Sequence, residues 1–307
     1  MHGPSTPSSA ASGSSTAPSA AAGSAPEPAS SPERSAAAGS DSGAASSPEP
    51  TSAGRLPSFD LSGSVALVTG AGRGLGREIA LAYARAGADI VATARTESEL
   101  ATLCDEVRAL GRRALAIPLD VRDLAGIRAM AARAEAEFGR VDILVNNAGI
   151  TVRQAALDVT EDAWDGIMDT NLKGLFFCCQ AIGRGMVERR RGKIVNMASV
   201  NAVTGWPRRL VYSATKAAVV HLTHVLAVEW APYGICVNAL GPTLIETDQV
   251  RAALTDPAFE AEWLAAIPMG RIGVPRDIIG AALFLASPAS DFVSGQHLLV
   301  DGAQTAR

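Results

Sequence analysis

The first 55 residues lack the side chains that build a protein core. No Val, Leu, Ile, Phe, Tyr or Trp precedes Leu56, and 41 of residues 1–50 are Ser, Ala, Pro or Gly. Ordering the backbone costs roughly 1–2 kcal/mol per residue, which such a composition cannot offset by burying apolar surface. We therefore predict a disordered Ser/Ala/Pro-rich tail over residues 1–55 and one folded domain over residues 56–307.

Charge of either sign is sparse, and long apolar runs are missing. The net charge is −4, which gives no basic patch for nucleic acid. No apolar run reaches 18 residues, and the N-terminus has neither the basic start nor the apolar stretch of a secretory signal. The sequence thus predicts a small-molecule partner, with no nucleic acid and no membrane.

Cysteine and histidine are scarce as well. The four cysteines lie in apolar stretches without C-x-x-C spacing, at Cys104, Cys178, Cys179 and Cys236. Such residues are typical of small core side chains in a reducing compartment, so we expect a cytoplasmic protein. His221 and His224 stand at i, i+3, but no third ligand is spaced to help them, and no metal site is predicted.

The rest of the chain alternates short apolar runs with helical stretches. The runs SVALVT, DIVATA, RALAIPLD, VDILVNNAG, KIVNMAS and ICVNAL are typical of strands covered on both faces. One helical stretch lies around Trp164 to Val187, and another runs from Tyr212 to Trp230. This alternation predicts an α/β fold, a single Rossmann-like doubly wound domain. A less regular segment over about residues 243–270 is the candidate substrate lid.

A glycine-rich turn follows the first predicted strand. Gly70, Gly74 and Gly76 form a G-x-x-x-G-x-G pattern that leads into a helix beginning near Leu75. Glycines there let the backbone approach a pyrophosphate, which then lies against the N-terminal amides of the helix. The position of the motif between strand and helix predicts a dinucleotide site.

The tip of the second strand bears on the choice of cofactor. An Asp or Glu there would accept hydrogen bonds from a free ribose 2′-hydroxyl, but the chain reads Thr93-Ala94-Arg95. Arg73 in the glycine loop and Arg95 supply two guanidinium groups for a 2′-phosphate, so NADP(H) is favoured over NAD(H). The alternative is that both arginines are ordinary solvated charges.

The ends of the third and fourth strands are candidates for the adenosine site. Asp120 and Val121 end the third strand, where a carboxylate can accept the adenine amino group. The small residues of N-N-A-G, which include Asn147, Ala148 and Gly149, leave room for the adenosine. The alternative is an ordinary Asn-rich turn.

Tyr212 and Lys216 form Y-x-x-x-K at the start of a long apolar stretch. Four residues make about one helical turn, so both side chains project from one face. A cation beside a phenol lowers the tyrosine pKa toward the working pH, as a general acid/base requires. Lysine otherwise occurs only at Lys173 and Lys193, which singles out Lys216. A chance Tyr-x-x-x-Lys is nevertheless common.

Two further polar residues are candidates for the same site. Ser199 follows the strand KIVNMAS, where a hydroxyl can donate to a substrate carbonyl oxygen, although it can equally belong to the loop leading to Pro207. Asn171 lies in a helical stretch, where Asn is a mediocre helix former. Its alternative is an exposed helix position.

Together these residues resemble the short-chain dehydrogenase/reductase family. The likeness runs from about Asp60 to Gly302 and includes T-G-x-x-x-G-x-G, N-N-A-G, V-N-A-x-x-P and the tetrad Asn171, Ser199, Tyr212 and Lys216. It implies a seven-stranded parallel sheet with three helices on each face, and a homotetramer as the assembly.

The resemblance also implies a role for each site residue. Tyr212 would exchange a proton with the substrate oxygen while hydride moves to or from the nicotinamide. Lys216 would bind the nicotinamide ribose and depress the tyrosine pKa, Ser199 would orient the substrate oxygen, and Asn171 would hold a water linking Lys216 to solvent. The nicotinamide contacts implied are Val195 to Met197, Pro242, Ile245 and Thr247.

Two positions depart from the family pattern. Thr243 stands where Gly is usual, and because Thr does not take a positive φ cheaply, the loop beside the nicotinamide is expected to differ. Ala303 stands where a second Gly is commoner. We expect activity to survive both changes.

Residues around the predicted site are candidates for the substrate pocket. Pocket candidates are Ile150, Thr151, Arg153, Asn201, Val203, Trp206, Arg208 and the lid from Leu244 to Leu264. The resemblance implies interconversion of a secondary alcohol and a ketone, and the Arg, Asn and Trp side chains among these candidates favour a polar substrate such as a sugar, sugar acid or polyol. The alternatives are a 3-oxoacyl thioester reductase and, from another class, a non-catalytic cofactor-sensing protein.

Overall fold

A fully parallel seven-stranded sheet organises the computed structural model. The structure describes residues 57–306, apart from the side chains of residues 248, 249 and 253, so the predicted tail over residues 1–55 lies outside the described residues. The strands are β1 (Val65–Thr69), β2 (Asp89–Ala94), β3 (Ala114–Pro118), β4 (Ile143–Asn146), β5 (Gly192–Met197), β6 (Ile235–Pro242) and β7 (His297–Val300). The predicted parallel sheet is confirmed.

Helices cover both faces of this sheet. They are α1 (Gly74–Arg85), α2 (Glu97–Ala109), α3 (Leu124–Phe138), α4 (Glu161–Met168), α5 (Leu175–Arg189), α6 (Leu210–Trp230), α7 (Asp248–Ala253), α8 (Pro257–Ala266) and α9 (Pro275–Ala286). Helices α1, α2 and α9 pack in one core layer, and α3, α5 and α6 pack in the other. The strands are apolar at successive positions because successive side chains enter opposite layers.

Burial on both faces explains the strand sequences. All five residues of β1 and all eight of β6 are buried. On the first layer, the buried phenol of Tyr83 in α1 donates a hydrogen bond to the carbonyl oxygen of Ala282 in α9, at 2.8 Å. A buried polar atom in an apolar layer needs such a partner, so this bond fixes α1 against α9.

The strand order places a crevice at the carboxyl edge of the sheet. The order is β3-β2-β1-β4-β5-β6-β7, so the chain turns outward in one direction after β1 and in the other after β4. Ligands of open α/β sheets bind at such a reversal. The glycine turn after β1 and the N-N-A-G segment after β4 therefore meet at one place.

The helical stretch predicted around Trp164 to Val187 is not continuous. Helix α4 ends at Met168, a π-helical turn follows over Asp169–Gly174, and α5 begins at Leu175. A π-helical turn inserts an extra residue and changes the direction of the side chains, and it is frequent at functional sites. Asn171 lies inside this turn and is fully buried, so its alternative as an exposed helix residue is wrong.

The two departures from the family pattern behave in opposite ways. Among residues 57–306, the non-glycine residues with positive φ are Arg190, Arg208 and Ala303. Thr243 thus keeps an ordinary backbone, and its hydroxyl donates to the side-chain carbonyl of Gln304. The expected disturbance at Thr243 is not found, whereas Ala303 adopts φ of 69°.

One described helical segment, Leu210–Tyr233, is long and apolar enough to cross a membrane by length and composition alone. The same test is passed by core helices of soluble proteins. In this chain α6 packs in one core layer through Val219, Leu226 and Ala227 and carries the buried Lys216. The segment therefore has a place in the fold without a membrane.

Candidate active site

A cleft of about 440 Å³ opens at the reversal of strand order. It is lined by residues from the ends of β1, β2, β3 and β4, together with Thr247 from the lid. The predicted cofactor residues that line it are Gly70, Arg73, Gly74, Leu75, Arg95, Asp120, Val121, Asn147, Ala148, Gly149 and Thr247. The sequence-predicted dinucleotide site is thus one continuous groove.

The glycine turn is held against the segment after β4. The side-chain amide of Asn147 donates to the carbonyl oxygens of Thr69 and Gly70, at 3.0 and 3.1 Å. Gly70 has φ of 65°, and a Cβ there would lie 2.9 Å from the Cα of Ala148. A Cβ on Gly76 would collide with the Asn147 amide. These glycines are required because two backbone segments pass in contact.

Basic side chains surround the far end of the groove. Arg73 and Arg95 line it, as predicted, and so does Arg122, which the sequence reasoning missed. Arg122 forms a two-atom ion pair with Asp120, with Nη2 at 2.6 Å from Oδ2. Hydrogen bonding by Arg122 lowers the pKa of the Asp120 carboxyl, and the charge of Arg95 acts in the same direction. The signal for Arg122 was its place directly after Asp120-Val121.

Lys216 reaches across to the strand that carries the tetrad serine. Its ammonium is buried, donates to the carbonyl oxygen of Met197 at 2.6 Å, and lies 5.6 Å from the centroid of the Tyr212 ring. The predicted common face of Tyr212 and Lys216 is therefore present. Burial lowers the pKa of Lys216 to about 8, because a charged amine loses its hydration in the protein interior.

The expected lowering of the Tyr212 pKa is not found. Burial raises the pKa of the Tyr212 phenol, while the Ser199 side chain, by hydrogen bonding, and the charge of Arg209 both lower it. The phenol is consequently protonated at neutral pH.

Asn171 and Ser199 are held by the backbone. The Asn171 amide bridges the loop after β4: Nδ2 donates to the carbonyl oxygen of Ile150, and Oδ1 accepts from the Ile150 amide, both at 2.8 Å. Ser199 Oγ accepts from the amide of Asn201 at 3.1 Å, which fixes the turn after β5. Both side chains are buried at the carboxyl edge.

Of the predicted nicotinamide contacts, Thr247 lines the cleft, whereas Val195 to Met197, Pro242 and Ile245 do not. Pro242 is buried at the end of β6, and Ile245 packs in the first core layer and pairs with Gly273. Gly76 likewise serves packing. Residues of the groove that were not predicted as cofactor contacts are Gly72, Ala94, Thr96, Glu99, Leu119, Arg122, Ile150 and Thr170.

Helix α8, in the predicted lid, contributes Phe259 and Trp263 to a cluster of aromatic and basic side chains. Trp263 stacks on Trp206 with ring centroids 4.4 Å apart. The guanidinium of Arg209 lies 5.8 Å from the Trp263 ring centroid, and that of Arg153 lies 5.1 Å from the Phe259 ring centroid. Arg153 and Trp206 were predicted pocket residues, and Trp263 lies within the predicted lid from Leu244 to Leu264, but Arg209 was not predicted. The separation of Arg209 and Trp263 in sequence gave no sign of their contact.

Comparison with protein families and with individual proteins agrees with this geometry. The family model described as enoyl-(acyl carrier protein) reductase matches residues 70–305. The 2-dehydro-3-deoxy-D-gluconate 5-dehydrogenase of Dickeya dadantii is 43% identical over 253 residues, which cover 82% of this chain and 99% of that protein. The 3-oxoacyl-(acyl-carrier-protein) reductase of Vibrio cholerae is 42% identical over 243 residues, covering 79% and 98%.

A solved structure matches over the same length. The crystal structure of a gluconate 5-dehydrogenase from Burkholderia cenocepacia, in complex with NADP and tartrate, superposes with a TM-score of 0.78. It is 44% identical, and the match covers 81% of this chain and 98% of that one. The similarity therefore spans the sheet, the groove and the lid together.

Proposed function

The chain belongs to the short-chain dehydrogenase/reductase family of NAD(P)-dependent oxidoreductases, and we propose that it interconverts a secondary alcohol and a ketone on a sugar acid, with Tyr212 as general acid/base. The observation that carries this proposal is the position of Tyr212. The Lys216 ammonium lies 5.6 Å from its ring centroid, the Ser199 side chain forms a hydrogen bond with its phenol, and the charge of Arg209 acts on it.

The groove residues fit a nicotinamide dinucleotide. The close approach of Gly70 to Ala148 leaves bare backbone at the start of α1, where amide groups favour a pyrophosphate. We propose that Gly74 and Leu75 hold the pyrophosphate and that Asp120 and Val121 hold the adenine. We assign the nicotinamide side to Val195 to Met197, Pro242, Ile245 and Thr247. When bound, the dinucleotide accepts or donates the hydride.

The chain's own residues then manage the proton. In the reductive direction, Tyr212 donates its proton to the ketone oxygen as the carbon receives hydride, and in the oxidative direction it takes the proton back. Ser199 donates a hydrogen bond to the same oxygen and stabilises its developing charge. Lys216 binds the ribose, and Asn171, held on Ile150, positions a water that leads to solvent.

We propose NADP(H) as the preferred cofactor. Arg73 and Arg95 line the groove, and neither belongs to an ion pair among the described side chains. A guanidinium bound to phosphate contributes roughly 1.5–3 kcal/mol. Changing Arg73 or Arg95 to Ala should therefore lower kcat/KM for NADP about tenfold or more and change kcat/KM for NAD by no more than about threefold. The surface control Arg85→Gln should leave both values of kcat/KM unchanged. A wild-type preference for NAD contradicts the assignment.

A sugar acid is favoured over neutral compounds because the site is basic. Arg153 and Arg209 stand over the lid aromatics close to Tyr212, and two relatives are named for gluconate-type substrates. The test is a panel of keto acids of sugars, neutral ketoses and 3-oxoacyl thioesters, followed by NADPH absorbance. The proposal expects the keto acids to have the highest kcat/KM.

The second candidate function is 3-oxoacyl thioester reduction. It is favoured by one relative of nearly equal identity that is named for that activity. In the same panel, turnover of acyl thioesters with none of the sugar-derived acids would establish it in place of the first.

We also propose a homotetramer located in the cytoplasm. Helix α6 presents Val225 and Val228 with 44% and 77% of their surface exposed, and exposed apolar pairs on one helix face are typical of subunit contacts. Light scattering after size-exclusion chromatography should give four times the chain mass of 31.5 kDa. A monomer at micromolar concentration contradicts the proposal.

A further inference from the structure

Arg209 is a partly buried arginine beside the proposed general acid/base Tyr212, and its Nε atom has no hydrogen-bond partner in the described part of the protein. Arg209 directly precedes α6, three residues before Tyr212. Its Nε atom is buried and has no hydrogen-bond partner among residues 57–306. Buried donors in folded proteins are nearly always paired, so an unpaired guanidinium nitrogen at a proposed substrate site points to a ligand that accepts from it.

The Arg209 guanidinium packs against the ring of Trp263 and forms no ion pair with a carboxylate among the described side chains. It lies 5.8 Å from the Trp263 ring centroid, and Trp263 is itself stacked on Trp206 at an interplanar angle of 13°. No ion pair between described side chains includes Arg209 or Arg153. Contact with a ring face fixes a guanidinium while leaving its edge N–H groups directed away from the ring.

A second cation increases the positive potential at this point. Burial, and after it the charge of Arg153, lowers the pKa of Arg209, whereas Tyr212 and Glu262 act in the opposite direction. Trp263 Nε1 is another buried donor without a partner among the described residues. Two arginines and an indole N–H thus concentrate donors and positive charge around Arg209, whose charge also acts on Tyr212. A second substrate group would lie there.

We propose that Arg209 binds the carboxylate of the substrate and sets the preference of the enzyme for an anionic over a neutral substrate. The assignment rests on the proposed function, because Tyr212 must meet the reacting oxygen for Arg209 to meet the carboxylate of the same molecule. The planar guanidinium pairs with a carboxylate through parallel N–H groups. The stacked indoles exclude water from this pair and so strengthen it.

The kinetic test compares an acid with its uncharged counterpart in the variant R209Q. The two compounds are gluconate and sorbitol, and the controls are R209K, which keeps the charge, and Arg85→Gln on the exposed end of α1. Loss of a charge-assisted pair lowers affinity about 10- to 100-fold. R209Q should lower the ratio of kcat/KM for gluconate to kcat/KM for sorbitol by this factor, because any effect on Tyr212 acts on both compounds alike. R209K should be intermediate, and Arg85→Gln should resemble wild type. Equal losses on both compounds overturn the proposal.

A binding measurement separates this proposal from the proposed function. Trp206 and Trp263 report on the site, so gluconate is titrated into wild type and R209Q while tryptophan fluorescence is followed. NADPH is present in place of NADP, because the reduced cofactor cannot oxidise gluconate. The proposal expects Kd to rise about 10- to 100-fold in R209Q, with melting temperatures checked for both proteins. Equal binding by R209Q, or no binding by wild type, overturns it. Gluconate that binds through Arg209 without turnover would instead count against the proposed function.

Discussion

The left-handed backbone at Ala303 gives a quantitative prediction about stability. Gly302 and Ala303 have φ of 61° and 69°, and the Gln304 amide donates to the Asp301 carbonyl oxygen at 3.2 Å. Two consecutive residues with positive φ form a type I′ turn, which favours glycine at the second position. An alanine there costs about 1–2 kcal/mol, while glycine increases the entropy of the unfolded chain by about 0.4–1 kcal/mol.

The substitution Ala303→Gly should therefore stabilise the protein. The side chain of Ala303 is exposed, so removing its methyl group sacrifices no buried contact. The difference of the two terms predicts a gain of about 0.5–1 kcal/mol in the free energy of unfolding, or about 1–4 °C in Tm for a domain of this size. Urea unfolding should show a higher midpoint with an unchanged slope.

The control applies the same substitution to an ordinary helical backbone. Ala101 is exposed in the middle of α2 and has no positive φ. Ala101→Gly should lower stability by about 1 kcal/mol. If Ala303→Gly also destabilises the protein, or changes nothing, the assignment of strain to this turn is wrong.

Three further predictions concern the site and the core. The pKa of Tyr212 is raised and that of Lys216 lies at about 8. For alcohol oxidation, log kcat/KM should therefore rise by about one per pH unit up to pH 8, because the phenolate fraction of Tyr212 grows. Above pH 8 it should level off, because the Lys216 ammonium loses its proton. A flat profile between pH 6 and 8 contradicts this. Asn171→Ala removes two 2.8 Å hydrogen bonds to the loop after β4. It should lower the free energy of unfolding, measured in urea, by about 1–3 kcal/mol and abolish most turnover, and an unchanged free energy of unfolding would refute this prediction. Tyr83→Phe removes the hydrogen bond from the buried phenol to α9 and should lower stability by about 0.5–1.5 kcal/mol, without changing KM for either substrate. An unchanged midpoint would show that the bond contributes nothing.

The sheet, the groove and the tetrad were predictable because each depends on local sequence. Apolar runs fix strands covered on both faces, and strand order then brings the strand ends together at one edge. Gly70 and Asn147 could be placed from their positions after β1 and β4, although they are 77 residues apart in sequence. The family resemblance added the roles but was not needed for the meeting of these segments.

The remaining features depend on contacts and backbone angles that no local pattern encodes. Asn171 was ambiguous because a π-helical turn has no sequence signature, and only the loop at Ile150 shows what its amide does. The Arg209 and Trp263 contact joins segments separated by the whole of α6 and β6. The Tyr212 pKa was predicted with the wrong sign because burial outweighs the nearby charges, and burial is a property of the fold.

Turnover of a sugar-derived keto acid with NADPH, by wild type and by Tyr212→Phe, tests whether Tyr212 is the general acid/base. A positioned acid/base contributes about 10²- to 10⁴-fold, so kcat should fall by that factor in Tyr212→Phe. The Kd for NADPH, measured in parallel by fluorescence, should stay within about threefold, since the groove is untouched. Equal turnover by the two proteins, or no hydride transfer by wild type to any compound of the panel, would contradict the account.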